Sequence, residues 1–135
     1  MIQIHSRVMG QMIAHAKQEA PLEACGYLAE RDGNVVKAFP MKNVDASADH
    51  FSLDPAEQFA VIREIRAAGL SLRGVYHSHP QSPARPSAED LKLAFDPKLS
   101  YVILSLPKED ARSFLIRNGQ GEEEKFVITD GEAAP

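Results

Sequence analysis

The run Val75-Tyr76-His77-Ser78-His79-Pro80 constrains this chain more than any other stretch. Its apolar lead-in reads as a strand, and alternate side chains of an extended strand leave the same face roughly 6.5–7 Å apart. His77 and His79 therefore turn both imidazoles toward one point, while Ser78 faces the other way. Pro80 stops the strand, and Pro83 and Pro86 hold the following loop extended, because proline fixes its own φ and biases the preceding residue away from helix. A helix is predicted to open at Ser87 and run to about Phe95, with Asp90 inside its first turn. If the loop folds back over the strand end, Asp90 joins the histidines as a third, anionic donor. Two neutral imidazoles and a carboxylate, with a fourth position left to water, make the ligand set of a catalytic rather than a structural zinc site.

The same residues also have a purely structural reading. Ser-x-x-Asp ahead of Leu91, Ala94 and Phe95 is a carboxylate form of the capping box, so Ser87 and Asp90 could simply hold a helix end. Two histidines on a strand face could be ordinary hydrogen-bonded residues. Neither fragment alone separates the readings.

Their conjunction resembles the signature of the JAMM (MPN+) metallopeptidases, His-x-His-Pro followed at these distances by a Ser and an Asp. That family also carries an upstream Glu, and Glu23 in Pro21-Leu22-Glu23-Ala24-Cys25-Gly26-Tyr27-Leu28 is similar to it. Spacing alone does not point to Glu23. The resemblance runs from about Ile2 to at least Ser105, and as a combined motif it outweighs the capping box alone.

At 135 residues the chain suits one domain with its own core, expected over residues 1–130, followed by a frayed tail at 131–135. The formal charge of −4 comes with both signs interspersed, which gives neither a nucleic-acid footprint nor a polybasic membrane segment. No apolar run reaches membrane-spanning length and the N-terminus lacks the form of a signal peptide, so a cytoplasmic protein is expected. The single cysteine, Cys25, excludes an intrachain disulfide, and beside a carboxylate it suits a core role better than that of a nucleophile.

Helical periodicity predicts a first helix over Ser6–Glu19 with Val8, Met9, Met12, Ile13 and Ala16 on one stripe, and His5 and His15 as peripheral surface histidines. Strands are expected at Ala24–Glu30 and Asn34–Pro40 around an Asp32-Gly33 turn, then a polar loop from Met41 to His50. Asp54, Pro55 and Glu57 read as a capping box opening a second helix that ends before Gly69 and packs Phe59, Ile62, Ile65 and Ala68 on the sheet. The metal strand Leu72–His79 and a central strand Ser100–Leu106 follow. A final hairpin is expected between Arg112–Asn118 and Glu124–Thr129, with Glu122 to Glu124 in its solvated turn. This order describes an α/β or α+β domain with helices on one sheet. The family resemblance implies the same, a curved mixed sheet related to the cytidine deaminase fold. The deaminase alternative itself fails, because the chain has neither His-x-Glu nor Pro-Cys-x-x-Cys.

The resemblance implies Zn²⁺ on His77, His79 and Asp90, Glu23 as general base and acid, and Ser87 stabilising the oxyanion. It implies hydrolysis of a peptide or isopeptide bond after the C-terminal Gly-Gly of a ubiquitin-like or sulfur-carrier protein. Without the long insertions of eukaryotic deubiquitinases, the chain looks closest to the stand-alone prokaryotic branch, which includes enzymes releasing cysteine or another residue from such carriers. A non-catalytic MPN interaction module and a structural zinc domain are the alternatives. The intact ligand set argues against the first, and the presence of only three ligands against the second.

Overall fold

A computed structural model describes residues 1–94 and 96–130, so the expected tail at 131–135 and the expected helix end at Phe95 lie outside the described residues. In chain order the elements are β1 (Ile2–His5), α1 (Ser6–Glu19), β2 (Cys25–Arg31), β3 (Asn34–Met41), α2 (Pro55–Ala67), β4 (Ser71–His79), α3 (Ala88–Leu93), β5 (Ser100–Ser105), β6 (Asp110–Arg117), β7 (Gln120–Glu124) and β8 (Phe126–Thr129). The strands form one mixed sheet in the order β7-β6-β5-β4-β2-β3-β1-β8. Both central residues of the β2–β3 turn, Asp32 and Gly33, have positive φ, the backbone that a two-residue hairpin with Asp-Gly favours.

The sheet curls until its two ends approach one another. The Ile2 N–H donates to the Lys125 carbonyl at 2.9 Å, and the Met1 amino group pairs with Glu124 at 3.1 Å. One face holds α1, whose Val8, Met9, Met12 and Ala16 pack against Ile2, Ile4, Leu28, Val35, Tyr76 and Leu104. On the opposite face α2 packs Val61 and Ile65 against Tyr27, Phe39 and Val75. Beside it, Ala84 of the proline loop joins Ile103, Phe114 and Ile116, with Leu91 of α3 laid against them. His77 and His79 emerge on this second face, at the C-terminal end of β4.

Several sequence expectations need correction. His5, far from being peripheral, is buried and caps α1 by accepting the Arg7 N–H at Nδ1. On α2 the buried residues are Val61 and Ile65, while Phe59 is 65% exposed and Ala68 lies on the outside. Ile65 and Ile62 keep the expected packing, and Val61 rather than Phe59 completes the stripe against the sheet. Asp54 makes no side-chain cap, and Glu57 instead accepts the Lys42 N–H. The last hairpin joins β6 to β7 through Asn118 and Gly119, whereas residues 126–129 leave it and pair in parallel with β1. Glu124 accordingly stands in an edge strand with its side chain bonded to Ser113.

Gly26 is required by a close approach. A Cβ there would lie 2.4 Å from the Phe39 carbonyl oxygen and 2.6 Å from the Tyr76 ring. Gly10, in the exposed middle of α1, has nothing within 4 Å. Gly26→Ala is therefore expected to destabilise the fold by about 2 kcal/mol or more, as overpacked sites do. Gly10→Ala should stabilise it by roughly 0.5–1 kcal/mol through helix propensity. Urea unfolding of the two variants checks both signs.

Candidate metal centre

Two elements bring the centre together. β4 presents His77 and His79, spaced two residues apart, on one face, and the first turn of α3 presents Asp90. The His77 Nε2, His79 Nε2 and Asp90 Oδ2 atoms form a triangle with every edge 3.1 Å. The side chains are almost closed off, at 2%, 4% and 7% exposure. A tetrahedral ion with N and O bonds of about 2.0–2.1 Å requires its ligand atoms roughly 3.3–3.4 Å apart, so this triangle is close to one face of such a polyhedron. Among the described residues, this is the group of His, Cys, Asp and Glu side chains gathered tightly enough to hold a metal ion.

Hydrogen bonds behind the triangle orient it. His79 Nδ1 lies 2.7 Å from the Pro83 carbonyl, an acceptor only, so Nδ1 carries the hydrogen and Nε2 of the neutral ring keeps its lone pair for a cation. The His77 ring is stacked on Phe51, centroids 4.8 Å apart at 28°. Its Nδ1 is buried without a hydrogen-bond partner. Burial raises the Asp90 carboxyl, but the bonds from both imidazoles and the Ser87 amide overcome it and hold the group well below the usual carboxylate range. Burial likewise lowers the His79 imidazole, and its bonds to Asp90 and Pro83 outweigh that and raise it. These donors fit a divalent metal ion: one fixed anion, two imidazoles able to offer lone pairs, and little water to compete.

The capping box predicted at Ser87 exists together with the triangle. Ser87 Oγ accepts the Asp90 N–H at 3.0 Å, and Asp90 Oδ2, the oxygen facing both histidines, accepts the Ser87 N–H at 2.9 Å. The cap and the approach to both imidazoles thus share one carboxylate.

Glu23 arrives from across the sheet. β2 and β4 are antiparallel with Cys25 opposite His77, and two residues further along the same register bring Glu23 level with His79. Its side chain is 2% exposed and its Oε1 has no hydrogen-bond partner. Burial, with neighbouring Asp90 and Asp49, pushes its carboxyl up to about 7, although His79 opposes the shift. Cys25 on the adjoining strand is buried, and burial pushes its thiol up to about 12, which removes it as a nucleophile at neutral pH. His50 stands at the margin, paired with Asp49 at 2.8 Å and Asp45 at 3.4 Å. His15 bonds the Tyr76 hydroxyl at 2.7 Å, on the α1 side of the sheet. Phe51, Ser78 and Asn43 carry no signature in the sequence, because their contacts depend on tertiary structure.

The family model for prokaryotic homologs of the JAB domain matches residues 5–117. A CysO-cysteine peptidase of Mycobacterium tuberculosis is 35% identical over 132 residues, covering 94% of this chain and 90% of the relative. A desampylase of Haloferax volcanii is 39% identical over 101 residues, covering 70% and 73%. The solution structure of a Desulfitobacterium hafniense protein superposes with a TM-score of 0.88 at 45% identity, covering 96% of this chain and 94% of that one. The ligand triangle and the curled α+β sheet thus occur in a chain whose sequence matches one family over most of its length, and the protein belongs to the prokaryotic branch of the JAB (JAMM) family.

Proposed function

We propose that residues 1–130 act as one zinc metallopeptidase domain that hydrolyses the bond after the C-terminal Gly-Gly of a ubiquitin-like or sulfur-carrier protein. The observation that carries this reading is the buried 3.1 Å triangle of His77, His79 and Asp90 with a protonatable Glu23 brought alongside by the strand register. Similarity to a CysO-cysteine peptidase over nearly the whole chain supports a carrier with a residue attached at its C-terminus.

His77, His79 and Asp90 would hold the ion, with Pro83 and the α3 cap fixing two of the three. When bound, zinc would supply Lewis acidity toward the scissile carbonyl and would lower the pKa of water from 15.7 to roughly 7. Glu23 accepts the proton of the attacking water and then delivers it to the departing amine, so one carboxylate serves as base and acid. Ser87 Oγ spends a lone pair on the Asp90 N–H, which leaves its hydrogen free to donate to the carbonyl oxygen as negative charge develops there. The wall made by Phe51 keeps that face of His77 dry and strengthens these electrostatic interactions.

Three outcomes test the assignment. Glu23→Gln should retain one zinc per chain by elemental analysis while hydrolysis of a Gly-Gly-Cys carrier adduct, followed by mass spectrometry, falls by about 10²–10⁴. An unchanged rate would remove Glu23 from the chemistry, and a wild-type chain inert toward every Gly-Gly adduct would sink the substrate assignment.

Ser87→Ala should also keep zinc. It should lose about 10²–10³ in kcat, as an oxyanion donor does, with stability lowered by only about 1 kcal/mol from the weakened cap. Loss of stability alone, with kcat intact, would leave Ser87 as a cap and nothing more.

The pH profile has a definite sign. Glu23 must be deprotonated to act as a base, and burial raises its carboxyl to about 7 in the metal-free site. A bound dication draws that value down, so kcat/KM should rise with pH along an acid limb at or below 7. At still lower pH, protons compete with the ion for His77 and His79, and zinc should leave with activity. Full zinc occupancy and undiminished turnover well below about pH 6.5, the ordinary His value, would count against the ligand assignment.

A further inference from the structure

We propose that Asn43 is a positioning residue for Glu23, holding the general base and the aromatic wall of the metal centre in register through one side-chain amide. The inference rests on the reading of Glu23 as that base. Glu23 lies two residues before β2, outside the ladder proper, so its backbone needs other anchors. On the sheet side the Ala24 N–H donates to Ser78 Oγ at 2.8 Å, and the Ser78 N–H donates to the Ala24 carbonyl at 3.0 Å. On the other side, the Glu23 N–H donates to the Ser47 carbonyl at 2.8 Å, and Asn43 Nδ2 donates to the Glu23 carbonyl at 3.1 Å. The base is thus stitched between β4 and the segment from Asn43 to Ser52.

Asn43 holds that segment together. It is 6% exposed. Besides Glu23, its Nδ2 reaches the carbonyls of His50 at 3.0 Å and Ser47 at 3.4 Å. Its Oδ1 accepts the N–H groups of Asp45 at 3.1 Å and Ser52 at 3.2 Å. Two amide hydrogens shared among three carbonyls and one oxygen taking two N–H groups use both ends of the side chain fully. Aspartate has the shape but no donors, glutamine is a methylene too long, and alanine offers neither end. Phe51 lies between His50 and Ser52, both bonded to Asn43, and its ring is the one stacked on His77. The amide that fixes the Glu23 backbone therefore also sets the wall against a ligand ring. Asn43 touches neither the triangle nor any reacting atom, so its effect must pass through Glu23 and Phe51.

The test uses the full chain loaded with zinc, in wild-type form and as Asn43→Asp, Asn43→Ala and Ser52→Ala. Ser52→Ala removes the Ser52 Oγ bond to Asp45 from the same segment and leaves the bonds of Asn43 in place. Both Asn43 variants should retain one zinc and lose about 10²-fold in kcat, with KM changed less than threefold, because a misplaced base weakens the transition state alone. Ser52→Ala should stay within threefold of wild type in kcat. By NMR, Asn43→Asp should lose amide-exchange protection at Glu23 and the Phe51–His77 ring contact, both of which Ser52→Ala should keep. A kcat within threefold of wild type in Asn43→Asp would overturn the proposal, as would kcat losses that simply follow melting temperature across all three variants. Should the wild-type chain hydrolyse no carrier adduct, the functional reading fails by itself. The NMR comparison then decides, and retention of both signals in Asn43→Asp overturns the positioning role.

Discussion

The antiparallel register between β2 and β4 is the constraint on which the centre depends. With Cys25 opposite His77, the ladder delivers Glu23 to the level of His79 and puts Ala24 against Ser78, whose backbone and hydroxyl both bond it. A slip of one residue would turn Glu23 to the α1 face, because side chains alternate along a strand. Gly26 protects the register from the other side of the sheet. The Tyr76 ring lies where a Cβ would stand, and the same strand position must accept the Phe39 carbonyl. Core packing and catalytic geometry are fixed by the same pairing.

Asp90 shows how a short element can serve a buried site. α3 has six residues, too few to be stable by propensity, yet its first turn must be held within tenths of an ångström. The reciprocal bonds between Ser87 and Asp90 supply that order, and the carboxylate oxygen that closes the cap is the one presented to both imidazoles. In the sequence, cap and ligand are alternative explanations of the same Ser-x-x-Asp pattern. A carboxylate oxygen has two lone pairs and can serve both.

What was legible in the sequence follows the range of the interaction. His77 and His79 share a face through local strand geometry, and Asp90 sits in a helix start marked by Ser87, so spacing reached all three. Glu23 stands more than fifty residues upstream of the histidines, and only resemblance identified it. The structural cue, equal offsets from Cys25 and His77, needs a register that no local pattern states. The same limit hid the edges: residues 126–129 have strand composition, but pairing with β1 rather than with β6 is decided by closure of the whole sheet. On α2 Ile65 and Ile62 pack as their spacing predicts, while Phe59 and Ala68 lie outside and Val61 takes the place expected of Phe59. Val61 and Phe59 are both apolar, and tertiary contact alone selects which one is buried. Asn43 in a polar loop carries no signature at all, since its partners are mostly backbone groups that any residues would supply.

The two carboxylates of the centre are distinguished by what surrounds them. Asp90 Oδ2 faces two imidazoles and a backbone N–H, all of which favour the anion, so it stays charged and is a natural anchor for a cation. Glu23 is as deeply enclosed, with Oε1 unbonded and Asp90 among its neighbours, so the proton is held until the surroundings become more positive. Placed side by side, a carboxyl held low and one pushed up to about 7 suit the two parts the proposed mechanism gives them, permanent ligand and transient base. Exchanging the residue types would not exchange the roles, because the difference lies in the donors around each group. The Ser87 amide and the histidines belong to Asp90 by virtue of the loop that carries it. Glu23 receives its backbone anchors from Asn43, Ser47 and, through Ala24, Ser78, while its Oε1 takes no hydrogen bond. A base held firmly at the backbone and left free at its carboxyl is suited to collecting a proton on one side of the reacting carbonyl and releasing it on the other.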